Sequence, residues 1–391
     1  MPAKILLLIL LFHRREFLQL NQTIQFVNCI TISKDVNNFI FNNYQRLIME
    51  LGLYTFADLP PGDNNISTDT NQRLRNLMEE IKLADELGLD VFGIGEHHRP
   101  DYAVSSPAVI LAAAAVTTKQ IKLTSAVTVL SSDDPVRVFQ QFATVDQLSN
   151  GRAEIMVGRG SFIESFPLFG YDLQDYDALF TEKLELLLEL NKQEKLSWKG
   201  TFRPSFNNLG VYPRPYQAAI PIWVAAGGTP ASAVRAATLG LPLALAIIGG
   251  APEQFVPFIN LYRNTAIKAK QDPSAIQLGI NSHVYIAADS QKAGDEFYPS
   301  YAGVMNRIGK ERGWQPLSRQ QFDHSRSPQG ALLVGSPQQV IDKILYEHEL
   351  FANTRFLAQM SLGDMPHKNI LKSIELFGTI VAPAVRKALN K

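Results

Sequence analysis

From Met49 onward, hydrophobic positions fall into two alternating kinds of segment. An alternating strand, Glu50-Leu51-Gly52-Leu53-Tyr54-Thr55-Phe56, comes first. Short apolar runs then recur at Val91–Gly95, Lys122–Leu130, Ala153–Gly158, Pro221–Ala226, Leu243–Ile247, Leu278–Ala287 and Arg355–Gln359. Continuous runs of this length predict parallel strands buried on both faces. Amphipathic stretches separate them. Leu74, Leu77, Met78, Ile81 and Leu87 keep helical spacing up to Gly88, and Pro107–Thr117, Pro135–Leu148, Asp177–Leu190 and Pro230–Leu239 continue the pattern. Pro252–Lys270, Gln338–Leu350 and Asn369–Leu389 complete it. Several begin with proline in the first turn, and Gly88 and Gly240 stand where a helix stop belongs.

Eight strands, each followed by a helix, predict an α/β fold of the (β/α)8 TIM-barrel type, because right-handed crossovers return the last strand to the first. An open doubly wound sheet would need a Gly-x-Gly-x-x-Gly turn straight after a strand. Gly158-Arg159-Gly160 follows a strand but lacks the third glycine. Two insertions break the rhythm. Lys192–Gln217, with Pro204, Pro213 and Pro215, reads as an irregular excursion. Asp289–Ser336 reads as one helix followed by a polar run, Gly313–Gly330, expected to act as a lid over the barrel mouth.

Residues 1–48 read differently. Ile5–Phe12 is an apolar run behind Lys4, shorter than the roughly 20 residues of a membrane span, and no small-x-small cleavage site follows it. Residues 17–48 are rich in Asn, Gln and Ile without a clean period. The expectation is an N-terminal extension over 1–48, disordered or upstream of a functional start at Met49, and a single barrel domain over 49–391.

Charge narrows the function. The 37 Lys+Arg balance the 37 Asp+Glu, so no basic surface is expected for nucleic acid or an anionic membrane. The single cysteine, Cys29, excludes an internal disulfide framework and a Cys-based zinc site, and makes the cytoplasm the expected location.

Candidate chemistry belongs at the C-terminal ends of barrel strands. Glu96-His97-His98 ends the second strand. Adjacent strand residues point to opposite faces and grip one ion poorly, so no metal is expected. A single imidazole at that position suits proton transfer near neutrality; the alternative is a hydrogen-bonded structural turn. Gly227-Gly228-Thr229-Pro230-Ala231-Ser232 follows the fifth strand, with Thr229 placed as N-cap and Pro230 at the first helical position. Backbone amides bare of Cβ, facing a helix N-terminus, suit a phosphate monoester; the alternative is a plain turn with a good cap. A phosphate cradle and one imidazole together point to a borrowed phosphorylated cofactor.

Several motifs resemble the luciferase-like monooxygenases, flavin-dependent (β/α)8 barrels. They are Glu96-His97-His98, Ser125–Leu130, Asp133-Asp134-Pro135-Val136-Arg137, Asp146–Arg152, Val157–Gly160, the Gly-Gly-Thr-Pro turn and Leu333–Pro337. The resemblance spans nearly all of 49–391. It implies an oxygenase that takes reduced FMN from a separate NAD(P)H:flavin reductase and acts with dioxygen on an aldehyde or other small organic substrate. It implies His97 as the catalytic acid/base. It also implies Thr128, Arg159, Gly227, Gly228, Thr229 and Ser232 as cofactor contacts, with Arg326 a further candidate. Thr128 stands where luciferases carry a cysteine near the flavin ring. Glu96, His98 and Met360 are the expected substrate contacts. The family also implies a homodimer, or a dimer of dimers, through the Pro107–Thr117 helix and the next. Two other readings stay open: hydride transfer with a deazaflavin coenzyme, and non-catalytic flavin binding.

Overall fold

The computed structural model describes residues 49–59 and 66–390; the extension expected over 1–48, with Cys29 and Ile5–Phe12, lies outside the described residues. In chain order the first half runs β1 (Glu50–Thr55), α1 (Ile66–Glu86), β2 (Val91–Ile94), α2 (Pro107–Thr117), β3 (Lys122–Ser125) and β4 (Thr128–Val129). It continues with α3 (Pro135–Ser149), β5 (Ala153–Gly158), α4 (Ser165–Phe169), α5 (Tyr176–Lys192), β6 (Lys195–Trp198) and β7 (Phe206–Gly210). Then follow β8 (Ile222–Ala226), α6 (Pro230–Thr238), β9 (Leu243–Ile247), α7 (Val256–Lys268), β10 (Leu278–Ile286), α8 (Ser290–Arg312) and α9 (Arg319–Ser325). The chain ends with β11 (Leu333–Gly335), α10 (Pro337–Phe351), β12 (Arg355–Gln359), α11 (His367–Leu376) and α12 (Ala382–Leu389).

Parallel ladders run β1-β2-β3-β5-β8-β9-β10-β12 and return from β12 to β1, which closes the barrel. The eight expected strands are these eight. They are buried on both faces: all six residues of β5, all nine of β10 and all five of β12 are buried. Helix ends follow local chemistry. Asp134 accepts hydrogen bonds from the amides of Val136 and Arg137 at the start of α3, and Asn150 ends it in the left-handed region.

The structure departs from the sequence reading in four places. Lys122–Leu130 is not one strand: between Thr124↔Glu154 and Thr128↔Val157, four residues advance opposite three, a one-residue bulge that includes the cis Ala126–Val127 peptide. Lys192–Gln217 is not irregular but contains the antiparallel β6–β7 hairpin; of its nine strand residues only Leu196 is buried, so it carried no hydrophobic period. The polar run Gly313–Gly330 holds α9, closed by a reciprocal capping box between Ser318 and Gln321. The final helix is interrupted by a π turn, Phe377–Val381. Among the described residues no helix is long and apolar enough to cross a membrane.

Candidate functional site

Register sets which residues face the barrel interior. An added Cβ on Gly279 would meet the Trp223 ring and Arg355 Cβ, so position 279 points inward, and by strand alternation so do Asn281 and His283, paired with Leu357 and Gln359. The N-terminal end of the barrel is plugged by charge. Arg355, 1% exposed, donates from Nη1 and Nη2 to Glu154 at 2.7 and 3.0 Å and from Nε to Glu50 at 2.7 Å, and lies 4.1 Å from the Trp223 ring centroid. Chemistry is therefore left to the opposite end, the mouth.

At the mouth His97 sits in an aromatic frame. Its ring stacks on Phe56 at 4.4 Å and meets Tyr102 and Phe162 edge-on at 4.4 and 4.7 Å. Gly95 makes room for that stack, since a Cβ there would lie 2.3 Å from the Phe56 ring. Burial, reinforced by the positive charge of Arg99, pushes the His97 imidazole down to about 3, so it is neutral at physiological pH. The neighbouring Glu96, an expected substrate contact, has partners of its own. Its buried carboxylate accepts the Val129 amide at 3.1 Å and lies 3.7 Å from His98 Nε2, tying the second strand's end to β4, and burial raises its pKa. His98 packs edge-on against Phe169 at 5.2 Å. These three side chains, with Val129 and residues of the Gly160–Ser165 loop, line one small cleft.

Across the mouth, the β8–α6 turn is open. An added Cβ on Gly227 would meet nothing within 4 Å, and on Gly228, at φ +108°, only the Phe255 ring edge at 3.7 Å. Thr229 occupies the N-cap position, but, contrary to the sequence reading, its side chain makes no capping bond. Ser232 is buried and donates its amide to the Thr229 carbonyl at 3.0 Å. Free amides, an uncommitted hydroxyl and a helix N-terminus fit a phosphate. A second observation agrees with this. Arg159 Nη1 reaches Asp177 at 2.6 Å, Arg235 Nη2 approaches the same carboxylate at 4.0 Å, and the buried Arg235 Nη1 has no hydrogen-bond partner. Two guanidiniums thus share one exposed carboxylate beside the turn's helix. Arg235 escaped the sequence reading; its place one turn inside the helix that follows the cradle was the available signal.

Thr128 is buried in β4 opposite Val157. Met360 is buried with its sulfur 3.4 Å from Ser373 Oγ on α11. Arg326 is committed to Asp323 at 3.0 Å and to the Ser290 carbonyl at 2.6 Å, where it holds α8 and α9 together. A wider open groove on the barrel flank is lined by Asp177, Glu182 and Glu185, with Trp198 and Lys199 of the hairpin turn. Glu182 already accepts the Thr201, Phe202 and Arg203 amides there, and three carboxylates make that groove a poor anion site.

Comparison with known proteins gives the family and the fold. The luciferase-like monooxygenase family model matches residues 49–354. The alkanal monooxygenase alpha chain of Aliivibrio fischeri is 24% identical, over 87% of this chain and 99% of its own. The crystal structure of the monooxygenase RslO1 from Streptomyces bottropensis superposes with a TM-score of 0.75 at 26% identity, covering 86% of this chain and 99% of that one. The F420-dependent glucose-6-phosphate dehydrogenase of Amycolatopsis mediterranei is 30% identical over a shorter stretch, 39% of this chain and 48% of its own. The chain belongs to the luciferase-like monooxygenase family of flavin- or deazaflavin-dependent oxidoreductases.

Proposed function

We propose that the protein is an FMN-dependent monooxygenase that receives reduced flavin from a separate reductase and oxidises an aldehyde or another small organic molecule. Bound reduced FMN would supply two electrons that, with dioxygen, place one oxygen atom in the substrate and release the other as water. The observation that carries this reading is the open Gly227–Gly228–Thr229 cradle at the same barrel mouth as a half-buried, neutral His97. The cradle amides and the α6 N-terminus would hold the phosphate, with Arg159 and Arg235 balancing its charge. His97, neutral at physiological pH, offers a ring nitrogen to accept a hydrogen bond from the reacting oxygen and would take its proton once bound cofactor and substrate favour the charged ring. Phe56, Tyr102 and Phe162 around it exclude water. The aligned stretch of the Amycolatopsis dehydrogenase favours a second reading, deazaflavin-dependent hydride transfer.

Anaerobic titration of the protein with reduced FMN and with reduced deazaflavin, followed by air, separates the two. Tighter binding of FMN and oxygen uptake coupled to oxidation of an added aldehyde are expected. Preference for deazaflavin without oxygen uptake would overturn the monooxygenase reading. We also place a homodimer interface on α2, which exposes Val109 (65%) and Val116 (66%) on one apolar face; a stable monomer by sedimentation at micromolar concentration would remove it.

A further inference from the structure

The wall of the mouth formed by β10 and β12 carries polar groups that the mechanism above does not use. Asn281 and His283 are 7% and 4% exposed, yet Asn281 Oδ1 and His283 Nδ1 have no hydrogen-bond partner. Such buried atoms ordinarily have one, and leaving one unmet is destabilising. Both side chains face inward, as the strand register requires. Gln359 stands opposite His283 in register, and Tyr301 of α8 packs edge-on against the imidazole at 5.6 Å, which holds the ring while Nδ1 stays without a partner. Burial holds His283 neutral. The inward positions nearby, Tyr54, Ala126, Met156 and Ala225, carry no charge either.

The cofactor reading places phosphate at the β8 end and the acting imidazole at the β2 end, so the flavin occupies the arc of strands between them. The β10–β12 wall faces that arc. Resting on that reading, we propose that Asn281 and His283 form a substrate-recognition edge for an uncharged group bearing an N–H or O–H donor beside a carbonyl, a carboxamide being the simplest case. Asn281 Oδ1 accepts from the donor. His283 Nδ1 completes the pairing in whichever tautomer the carbonyl or the N–H requires. An edge of this kind selects strongly, because a ligand lacking the donor leaves the buried acceptor unpaired. The same chemistry occurs on the imide edge of the flavin itself, and the test distinguishes the two sources.

The full chain, labelled with nitrogen-15 histidine, is titrated without flavin with hexanamide and with heptan-2-one, its near-isostere lacking N–H. The expected result is a saturable shift of the His283 resonance, with hexanamide binding about 10-fold more tightly than the ketone. Asn281→Leu should erase that preference without lowering the melting temperature. Should that variant unfold, His283→Gln, which keeps a hydrogen-bonding group, serves in its place and should shrink the preference. FMN affinity should be unchanged in both variants. Equal binding of amide and ketone, or no His283 shift, overturns the proposal. A 10-fold loss of FMN affinity in either variant also overturns it, by giving the edge to the flavin. Failure of the wild type to bind any flavin, with the amide preference intact, would remove the cofactor reading alone and leave the recognition edge supported.

Discussion

The two ends of this barrel are built on opposite rules. At the N-terminal end, Arg355 spends Nε, Nη1 and Nη2 on two carboxylates and lays its face on Trp223, and Lys122 adds a bond to Glu50 at 2.5 Å. At the mouth, Asn281 Oδ1 and His283 Nδ1 are buried without partners, and the Gly227–Gly228 turn leaves its amides uncovered. Both ends bury polar groups. At the closed end the charged side chains meet one another, whereas the mouth holds two buried acceptors that no group of the chain meets. The contrast separates groups that hold the barrel together from groups that receive a ligand.

The largest effect that could break this division is kinetic. His97→Ala should lower turnover about 10²–10⁴-fold at saturating flavin while flavin affinity changes little; wild-type turnover would return His97 to the structural side. Because the imidazole is neutral down to about pH 3, the wild-type rate should show no His97 limb between pH 5 and 8. Arg355→Met at the other end should cost about 3–5 kcal/mol in urea unfolding, because it strands the buried Glu154 carboxylate; flavin affinity should survive in whatever fraction stays folded. A smaller effect belongs to Gly228→Val. It puts a branched residue at φ +108° and should weaken FMN about 10-fold or more, while riboflavin, lacking phosphate, is weakened far less. Equal losses for the two flavins would detach the turn from the phosphate.

Asp58, just past β1, sharpens the contrast through pH. Burial pushes its carboxyl up to about 6, partly offset by the Gly363 amide at 3.2 Å. A raised acid is protonated in the folded chain and ionised in the unfolded one, so its penalty grows as pH rises from its unfolded value through 6. Asp58→Asn should therefore stabilise the protein by about 1 kcal/mol more at pH 7.5 than at pH 5. An equal gain at both values would show that the shift is absent. The smallest effect concerns the lid: amide exchange across Gly313–Gly330 should slow when FMN binds, most at the residues outside α9. Unchanged exchange would leave the segment a fixed part of the fold.

Much of this was legible in the sequence because burial on both faces writes itself as apolar runs. All eight barrel strands lay in such runs, and α2 matched its Pro107–Thr117 stretch at both ends. Elements whose stability comes from pairing rather than burial left no such trace. The β6–β7 hairpin is polar and exposed, and β11 is only three residues long. For α9 a signal was present: Ser318 and Gln321 stand at capping-box spacing, and Phe322 behind them is fully buried. The site divided in the same way. His97 and the Gly-Gly-Thr turn carry local signatures, whereas Arg235 and the Asn281–His283 edge acquire meaning only once strand register shows which way they face.

The plug at the closed end also bears on synthesis. Glu50 and Glu154 leave the ribosome long before Arg355, the residue that neutralises them both. Until β12 emerges, β1 and β10 are open sheet edges and the nascent interior holds two carboxylates facing each other with Lys122 as their one close cation. A chain cut short before residue 355 therefore keeps seven of its eight barrel strands and lacks both the seam and the counter-charge. Quality control would meet it as an exposed, sticky half-product. The completed barrel, by contrast, is sealed by a single guanidinium that arrives near the end of translation.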